Sequence, residues 1–474
     1  MKRILTSEQM RLVEKAFMEK TGYPSLLLME HAAQAVAQEA LAMARDGAAF
    51  FCGPGNNGGD GYAAARLFWQ AGRRCEVFAL SDPEKLRGDA LVNARLCRAL
   101  GIPIRAWEEG TPLAPDCSLV VDALFGTGLS RPLEGVYAAA VRFFNGCDLP
   151  VLAVDMPSGT PELMTRAQAT VTFHRAKLCH MLFPGRENAG RLVVAPIGLP
   201  EDEEGMTVLE EADVASLLPP RRRDAHKGTC GHVLVAAGSP GMAGAAALCA
   251  NAAMRAGAGL CTLFCAKETM PILQTLAPCA TCRLREETRV EDAFAGKSAV
   301  AAGPGLGMGR GSAAVLEALL RAKETAQVWD ADALTYLSQN PAVLGERFII
   351  TPHPGEASRL LGIPAAQVAR EPVDAALALS EKYACTALVK GATTVIAFQG
   401  QCALNTAGTQ GMATGGSGDV LTGMIAGLLA QGVEPFLAAR LGALLHGLAG
   451  ERAAQRLGVR SMLAQDLLGS LCIE

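Results

Sequence analysis

Short, continuously apolar runs alternate with alanine-rich stretches along most of the chain, and this alternation limits the possible folds more than any other feature. An apolar run without a polar face is typical of a strand buried on both sides, as in a parallel sheet. The alanine-rich stretches predict helices, so the pattern predicts βα units and a doubly wound α/β fold. The predicted strands are 48–52, 76–80, 118–125, 151–156, 169–173, 191–199, 232–238, 260–265, 298–303, 327–332, 347–352, 386–391 and 394–400.

The pattern is interrupted between residues 201 and 231, where the chain becomes acidic, then proline-containing, then basic. Such a change of composition is typical of a domain boundary. We place the boundary near residue 205 and expect two α/β domains, 1–205 and 206–474. A length of 474 residues suits two or three domains of ordinary size.

Charge and cysteine content exclude several classes of protein. The formal net charge is −4 and the pI is about 6.1, so no nucleic-acid-binding surface of the usual basic kind is expected. No stretch approaches the ~18 apolar residues of a membrane span, and the first ten residues contain no apolar signal core. The 15 cysteines are odd in number and mostly scattered, which favours a reducing cytoplasm over a disulfide-bonded scaffold.

A glycine-rich segment, 53–61, follows the first predicted strand and precedes a predicted helix over 62–70. Its G-x-G-x-x-G pattern begins at Gly53. Glycines at such a turn let the backbone approach a pyrophosphate, towards which helix N–H groups point. A tight turn without a ligand is the alternative. A ligand is favoured by the polar residues of the segment, which are Asn56, Asn57 and Asp60.

Two later predicted strands carry acids at their ends: Asp122 ends the run SLVVD, and Asp155 ends the run VLAVD and is followed by Ser158. The carboxyl ends of parallel strands line the ligand crevice, so these side chains and Asn57 are expected to converge. Oxygen ligands of this kind suit a hard cation. A helix N-cap or a turn is the alternative role for each aspartate.

Three motifs resemble, in order and spacing, those of the NAD(P)H-hydrate epimerase domain: GPGNNGGDG from Gly53, DALFGTGL from Asp122 and VDMPSG from Val154. The resemblance covers about residues 1–200 and implies a Rossmann-like three-layer domain in which Asp155 is the acid/base near a hydrated nicotinamide. After Gly159 the chain runs quickly into strand 169–173, where the family usually has a longer loop. The implied K⁺ ligands are Asn57, Asp122 and Ser158. The implied substrate-binding residues, besides Asp155, are Asn56, Asn57, Gly58, Gly59, Asp60, Gly126, Thr127, Gly128, Leu129, Ser130, Arg131 and Pro132.

A second glycine loop, 411–418, precedes Asp419 and an apolar stretch that predicts a helix over 419–432; another helix is predicted over 435–457. N–H groups at a helix N-terminus form an anion hole for phosphoryl charge. The adjacent aspartate is placed to accept a proton from a substrate hydroxyl. An N-cap aspartate on a buried helix is the alternative. There is no Walker A loop, and the G-x-G-D arrangement resembles the ribokinase-like fold.

Two further residues lie at the ends of predicted strands in this half. His353 lies between two prolines, which make its position rigid, although a structural loop histidine is the alternative. Lys390 is followed by Gly391 and suits a contact with a nucleotide phosphate, although a surface lysine is the alternative.

The C-terminal motifs resemble those of the ADP-dependent NAD(P)H-hydrate dehydratase: GPGLG from Gly303, TPHPGEASRLLG from Thr351, VKGATT from Val389 and GGSGDVLTG from Gly415. The resemblance covers about residues 208–474. The residues that it implies for the hydrate are Ala245, Gly305, His353 and Asp419. Those that it implies for the adenine nucleotide are Lys390, Gly391, Ala392, Thr393, Thr394 and Gly418.

Together the two resemblances imply a bifunctional nicotinamide-nucleotide repair enzyme. The N-terminal domain would interconvert the R and S hydrates of NADH or NADPH. The C-terminal domain would dehydrate the S form with ADP as phosphoryl donor and Mg²⁺ assisting, releasing AMP and phosphate. We expect a homo-oligomer whose partners are small molecules. The alternative is a ribokinase-like kinase of a vitamin precursor with a non-catalytic nucleotide-binding module at its N-terminus.

Overall fold

The structure, a computed structural model, describes residues 1–128, 131–201 and 204–473. It divides into two compact units: Arg3–Gly205, called here the first unit, and Met206–Glu474 with Met1–Lys2, called here the second unit. Each unit is built on a sheet with helices packed against it, so the predicted α/β class is confirmed. No helix in the described ranges is long and apolar enough to span a membrane.

The sheet of the first unit is parallel throughout its described strands. Every residue of strand Gly47–Cys52 is buried. Phe50 packs into one hydrophobic core and Phe51 into a second core. Both faces are therefore covered, which explains why this strand is continuously apolar. The strand order is Arg191–Ala195, Ala169–Phe173, Val151–Val154, Cys117–Ala123, Gly47–Cys52, Cys75–Ala79, Ile104–Ala106.

Helices cover both faces of this sheet, which gives the three-layer arrangement. Ser25–Met43 and Asn56–Gln70 pack into the core that contains Phe50, whereas Gly135–Gly146 packs into the core that contains Phe51. The α-helices of the first unit are Ser7–Thr21, Ser25–Met43, Asn56–Gln70, Gly88–Ala99, Gly135–Gly146 and Gly185–Asn188.

The short segment after Gly159 is a defined turn. Strands Gly159–Thr160 and Leu163–Met164 form a small antiparallel hairpin. The Asn145 side chain donates to the carbonyl oxygen of Met164 at 2.9 Å and accepts from the backbone N–H of Arg166 at 2.8 Å. The hairpin is therefore tied to helix Gly135–Gly146.

From Met206–Val208 onwards, the sheet of the second unit is parallel except around Thr394–Phe398, which is antiparallel to both of its neighbours. Gln399 and Gly400 have φ of 47° and 77°, as a two-residue hairpin turn requires. From Met206–Val208 onwards the strand order is Met206–Val208, Gln401–Asn405, Thr394–Phe398, Thr386–Val389, Phe348–Ile350, Ala326–Trp329, Ala299–Ala302, His232–Ala236, Leu260–Cys265, Thr281–Leu284.

Helices Ala243–Arg255 and Ser417–Ala430 form the tightest helix pair of the second unit. A Cβ on Gly423 would overlap the backbone oxygen of Cys249, so glycine is required for this close approach. The close approach of these two helices explains why both segments are rich in small side chains. The α-helices of this unit are Val214–Leu217, Ala243–Arg255, Met270–Leu276, Val290–Phe294, Arg310–Arg321, Asp332–Gln339, Pro354–Leu361, Ala365–Arg370, Pro372–Tyr383, Ser417–Ala430, Pro435–Leu457 and Ala464–Ser470.

Two candidate active sites

The N-terminal glycine segment is shorter as a loop than the sequence predicted. Helix Asn56–Gln70 begins at Asn56 rather than at residue 62, so residues 56–60 lie in its first turns. A Cβ on Gly58 would overlap the carbonyl oxygen of Gly53, and the absence of that Cβ allows the helix to begin here. The first turn of a helix has N–H groups without intrahelical acceptors, which suits an anionic ligand.

Side chains that follow two strands meet at Gly126, which itself follows a third strand. A Cβ built on Gly126 would lie 2.8 Å from Asp155 Oδ2 and 3.1 Å from Asn57 Oδ1. Asp155 and Asn57 are both buried, with 8% and 9% of their surface exposed. The loop after strand Cys117–Ala123 therefore brings these two side chains to one place.

Asp122 and Ser158 form a buried pair beside this point. The Ser158 hydroxyl donates to Asp122 Oδ1 at 2.7 Å, and its backbone N–H donates to Oδ2 at 2.9 Å. The same hydroxyl accepts from the N–H of Phe125 at 2.9 Å. Burial raises the pKa of Asp122, although these hydrogen bonds oppose the shift. The pair therefore forms a compact group of oxygen atoms at the carboxyl edge of the sheet.

Asn57 is buried, and neither Oδ1 nor Nδ2 has a hydrogen-bond partner among the described residues. A buried amide without partners costs about 1–3 kcal/mol, so a ligand is the usual explanation. One amide oxygen, one carboxylate and one hydroxyl are hard ligands. The residues present therefore fit an alkali cation.

Asp155 lies in the densest hydrogen-bond network of this site. Lys177 Nζ donates to Asp155 Oδ1 at 2.9 Å, and the Thr172 hydroxyl donates to the same oxygen at 3.1 Å. The backbone N–H of Thr127 lies 3.3 Å from Oδ2. Burial opposes ionisation of Asp155, but the Lys177 ammonium and the hydrogen bonds outweigh it, so the pKa lies below its usual value. Asp155 is therefore a carboxylate at neutral pH.

His180 holds the backbone of the same residue. Its Nδ1 accepts from the backbone N–H of Lys177 at 3.0 Å, so the ring proton lies on Nε2, which donates to the Asp155 carbonyl oxygen at 2.9 Å. Burial lowers the pKa of His180 to about 4, so the ring is neutral. This bond supports Asp155 in a left-handed backbone conformation, with φ of 66°.

Helix Ser7–Thr21 contributes to this site. Arg11 donates to the carbonyl oxygen of Thr127, in the loop that contains Gly126. Burial raises the pKa of Glu14, which lies in the electrostatic field of Lys177 and Asp155. Of the remaining residues assigned to the substrate, Gly128, Arg131 and Pro132 are exposed, whereas Leu129 and Ser130 lie outside the described residues.

In the second unit an ion pair lies beside the glycine loop. Lys390 Nζ donates to Asp330 Oδ1 at 2.7 Å, and the Thr422 hydroxyl donates to Asp330 Oδ2 at 3.0 Å. A Cβ on Gly418 would lie 3.3 Å from Lys390 Nζ. The glycine loop therefore rests on this ion pair. Helix Ser417–Ala430 begins two residues before the predicted start.

Asp419 lies in the first turn of that helix and is half-buried. Burial and the charge of Asp330 raise the pKa of Asp419 to about 6, against the lowering effect of Lys390. A carboxyl that titrates near neutrality is suited to general base catalysis.

His353 caps helix Pro354–Leu361, and its Nδ1 accepts from the backbone N–H of Gly355 at 3.0 Å. Its own backbone N–H donates to Glu356 Oε2 at 2.9 Å. Glu356 Oε2 also lies 4.0 Å from Lys390 Nζ. The cap therefore places the half-exposed His353 ring next to the Lys390 ion pair.

The remaining residues assigned to the hydrate form a separate cluster. A Cβ on Gly305 would lie 3.3 Å from the Cβ of Ala245. Arg285 donates to the Gly238 carbonyl oxygen and lies 3.5 Å from that of Leu306. One guanidinium therefore bridges the loop before helix Ala243–Arg255, which carries Ala245, and the loop that carries Gly305.

Comparisons with known proteins match nearly the whole chain, and they agree on the family. A family model described as NAD(P)H-hydrate dehydratase matches residues 233–472, and one described as YjeF-related protein N-terminus matches 25–179. A bifunctional NAD(P)H-hydrate repair enzyme of Thermofilum pendens is 38% identical, over 98% of this chain and 94% of its own length. One of Moorella thermoacetica is 37% identical, over 99% of this chain and 96% of its own length.

The chain belongs to the bifunctional NAD(P)H-hydrate repair enzyme family.

Solved structures support the fold of this repair enzyme family member. A ribokinase-like superfamily protein of Enterococcus faecalis has a TM-score of 0.52 and 28% identity, over 57% of this chain and 96% of its own. An ADP/ATP-dependent NAD(P)H-hydrate dehydratase of Bacillus subtilis, co-crystallised with ATP and Mg²⁺, has a TM-score of 0.51 and 31% identity. The match covers 56% of this chain and 96% of its own. The resemblances drawn from the motifs and the ribokinase-like fold are confirmed, and the kinase alternative is not favoured.

The sequence did not single out several residues that the structure places at the sites of this repair enzyme family member. Lys177 and Thr172 lie at or just after strand Ala169–Phe173, and Asp330 follows strand Ala326–Trp329. Their positions at carboxyl ends of strands were the available signal, since these edges line the crevice. The others are Arg11, Glu14, His180, Arg285, Glu356 and Thr422.

Proposed function

We propose that this chain is a bifunctional repair enzyme for hydrated NADH and NADPH. Its first domain, 1–205, interconverts the R and S hydrates, and its second, 206–474, dehydrates the S form with ADP. The observation that carries the proposal is the pair of buried or half-buried aspartates, Asp155 and Asp419, each beside its own glycine loop. The relatives that match nearly the whole chain are named bifunctional NAD(P)H-hydrate repair enzymes, which supports two activities on one hydrated substrate.

In the epimerase site, Asp155 accepts a proton from the hydrated ring and returns it. Residues 56–60 and 126–132 hold the nucleotide, with the first helical turn at Asn56 directed to its phosphates. Asn57, Asp122 and Ser158 would hold K⁺. The cation, when bound, supplies positive charge to an anionic substrate. The unpartnered Oδ1 of Asn57 supports this assignment.

In the dehydratase site, Asp419 accepts the proton of the ring hydroxyl, and the hydroxyl oxygen takes the terminal phosphoryl group of ADP. The bond from that phosphorus to the bridging oxygen breaks, and AMP leaves with its electrons. The N–H groups of the loop that ends at Gly418 stabilise the transferred charge. The bond between the ring carbon and the phosphorylated oxygen then breaks, and phosphate leaves with the bonding electrons. The lone pair of the ring nitrogen replaces these electrons at the carbon. Loss of a ring proton gives NADH or NADPH. Ala245, Gly305 and His353 position the hydrate, and residues 390–394 position ADP.

Mg²⁺ is proposed for the dehydratase site. Among the described residues, no three His, Cys, Asp or Glu side chains are grouped as a metal site. Mg²⁺ usually takes one or two carboxylates together with substrate phosphates. Asp330 Oδ1 lies 2.7 Å and Glu356 Oε2 lies 4.0 Å from Lys390 Nζ. These two carboxylates would hold the ion, which when bound supplies charge to the phosphates. The Bacillus subtilis dehydratase was crystallised with ATP and Mg²⁺, whereas our proposed donor is ADP.

The cellular compartment and the oligomeric state are proposed together with the function. All fifteen cysteines are free thiols in the structure, which supports a reducing cytoplasm. A homo-oligomer rests on the family resemblance and is checked by light scattering of the purified chain.

The test is a spectrophotometric assay with a mixture of R and S hydrates. With ADP and Mg²⁺, absorbance of reduced nicotinamide should rise together with free phosphate. A stable phosphorylated product without free phosphate would instead establish the kinase alternative. Without ADP, the R:S ratio of an unbalanced mixture should relax faster with the protein than without it, and faster still with K⁺. Relaxation at the spontaneous rate would disprove the epimerase.

A further inference from the structure

Lys177 is the most deeply buried lysine at the epimerase site, with 2% of its surface exposed. Its ammonium donates to Asp155 Oδ1 at 2.9 Å, to the Thr172 hydroxyl at 2.7 Å and to the Phe173 carbonyl oxygen at 3.0 Å. An ammonium has three N–H bonds, and these three acceptors use all of them. The Lys177 charge is therefore held in one place and directed at one carboxylate oxygen.

The two oxygens of Asp155 consequently differ. Oδ1 accepts from both Lys177 and Thr172. In the described ranges, the hydrogen bond to Oδ2 is the long one from the Thr127 N–H, at 3.3 Å. Oδ2 is also the oxygen that faces Gly126, on the side of Asn57. Oδ2 therefore has acceptor capacity left and points at the loop that would hold the substrate.

The segment that supplies Lys177 also fixes the Asp155 backbone. The Lys177 N–H donates to His180 Nδ1 at 3.0 Å, and His180 Nε2 donates to the Asp155 carbonyl oxygen at 2.9 Å. The Asp155 N–H donates to the Val171 carbonyl oxygen at 2.7 Å. One short segment thus holds Asp155 by both its backbone and its side chain, against the strain of a positive φ.

We infer that Lys177 is a positioning residue of the epimerase reaction, which holds Asp155 through Oδ1 and leaves Oδ2 as the oxygen that meets the hydrated ring. This inference rests on the proposed role of Asp155. Lys177 itself is enclosed and does not touch the substrate. Its effect is on the direction and the charge of the carboxylate.

The charged surroundings agree with this inference. The titratable groups that face Asp155 are Lys177, His180, Asp60, Glu14 and Cys179. Burial raises the pKa of Asp60 well above its usual value and also raises that of Glu14. His180 is neutral. Lys177 is therefore the cation that counters the negative field at Asp155, and its loss should raise the pKa of Asp155.

The test uses the full-length chain carrying Lys177→Met, with Lys85→Met as an exposed lysine control. We expect the epimerase kcat to fall about 100-fold, the scale of general acid–base contributions, with KM little changed. The acidic limb of the epimerase pH profile should move to higher pH. ADP-dependent dehydration of pure S hydrate by the same sample should be unchanged, which checks the second unit. A circular dichroism spectrum and a urea-unfolding curve, each compared with wild type, check the folding of the first unit.

A wild-type rate and pH profile in Lys177→Met would overturn the inference, as would a loss of rate with the acidic limb in place. If Lys177→Met does not fold, Thr172→Val decides, since it removes one donor from Oδ1. A several-fold slower epimerase supports the inference, and an unchanged one overturns it. Asp155→Asn separates the two levels of the proposal: wild-type epimerisation in that variant would remove the proposed function itself, not only the role of Lys177.

Discussion

Asp155 and Asp419 are the same residue type, each beside a glycine loop, yet their surroundings shift their ionisation in opposite directions. In the first unit, the lysine donates directly to the reacting aspartate, and the pKa of Asp155 lies below its usual value. In the second unit, Lys390 donates to a neighbouring aspartate, Asp330, whose charge helps burial to raise the pKa of Asp419 to about 6.

Burial raises the pKa of both aspartates, and the direct ammonium partner reverses that rise at Asp155 but not at Asp419. An aspartate with its own ammonium is held as a carboxylate through the whole working range of pH. One whose neighbouring cation is engaged elsewhere gains and loses a proton near neutrality, which suits a base that must take a proton from a hydroxyl. Four predictions test this comparison.

The largest effect is expected from Asp419→Asn. An amide has no lone pair basic enough to take the hydroxyl proton, so ADP-dependent dehydration should fall by at least about 100-fold. Epimerisation should be untouched, and ADP binding measured by calorimetry should be retained. Turnover near the wild-type rate would rule out Asp419 as the base.

Asp155→Asn should have the complementary effect. Epimerisation should fall to a similar degree, about 100-fold, while dehydration of pure S hydrate continues. The measurement is relaxation of the R:S ratio by chromatography without ADP. An equal loss of both activities would contradict the division of labour between the two units.

The same two substitutions should change stability with opposite signs. Asp155→Asn leaves the buried Lys177 ammonium without its counter-charge and should cost about 3 kcal/mol. Asp419→Asn removes a carboxylate that is costly to ionise and should stabilise by about 1–2 kcal/mol at pH 7.

Urea unfolding at several pH values checks both signs. Because the folded pKa of Asp419 is raised, the gain from Asp419→Asn should vanish as pH falls towards the unfolded value of about 4. Because the folded pKa of Asp155 is lowered, its stabilising contribution should persist until pH falls below that same value. A change in the free energy of unfolding with the same sign in both variants at pH 7 would refute the contrast between the two aspartates.

The smallest effect is on the pH profile of dehydration. We expect an acidic limb in kcat/KM close to pH 6, from Asp419. Asp330→Asn removes the like charge that raises this pKa and should move the limb to lower pH. The exposed Asp374→Asn is the matched control and should leave it in place. A limb that stays fixed in Asp330→Asn would show that burial alone sets the pKa of Asp419.

Strands were predictable from sequence where they are buried on both faces, and less so elsewhere. Gly47–Cys52 and Leu260–Cys265 are nearly uniform apolar runs because almost all of their residues, on both faces, are buried. Ile104–Ala106 and Thr281–Leu284, at ends of their sheets, were missed since their side chains are partly exposed. At the edge of a sheet the side chains are less completely covered by other elements, so polar residues are tolerated and the apolar run is interrupted.

The sequence by itself determined the family, the α/β class and the glycine loops, because these follow from local pattern and motif spacing. Tertiary structure alone decided which lysine pairs with which aspartate, since Lys177 lies 22 residues from Asp155 and Lys390 lies 60 residues from Asp330. Ionisation depends on burial and on charges a few ångströms away. Those distances exist only once the strands are side by side, which is why two aspartates beside glycine loops in one chain differ in ionisation.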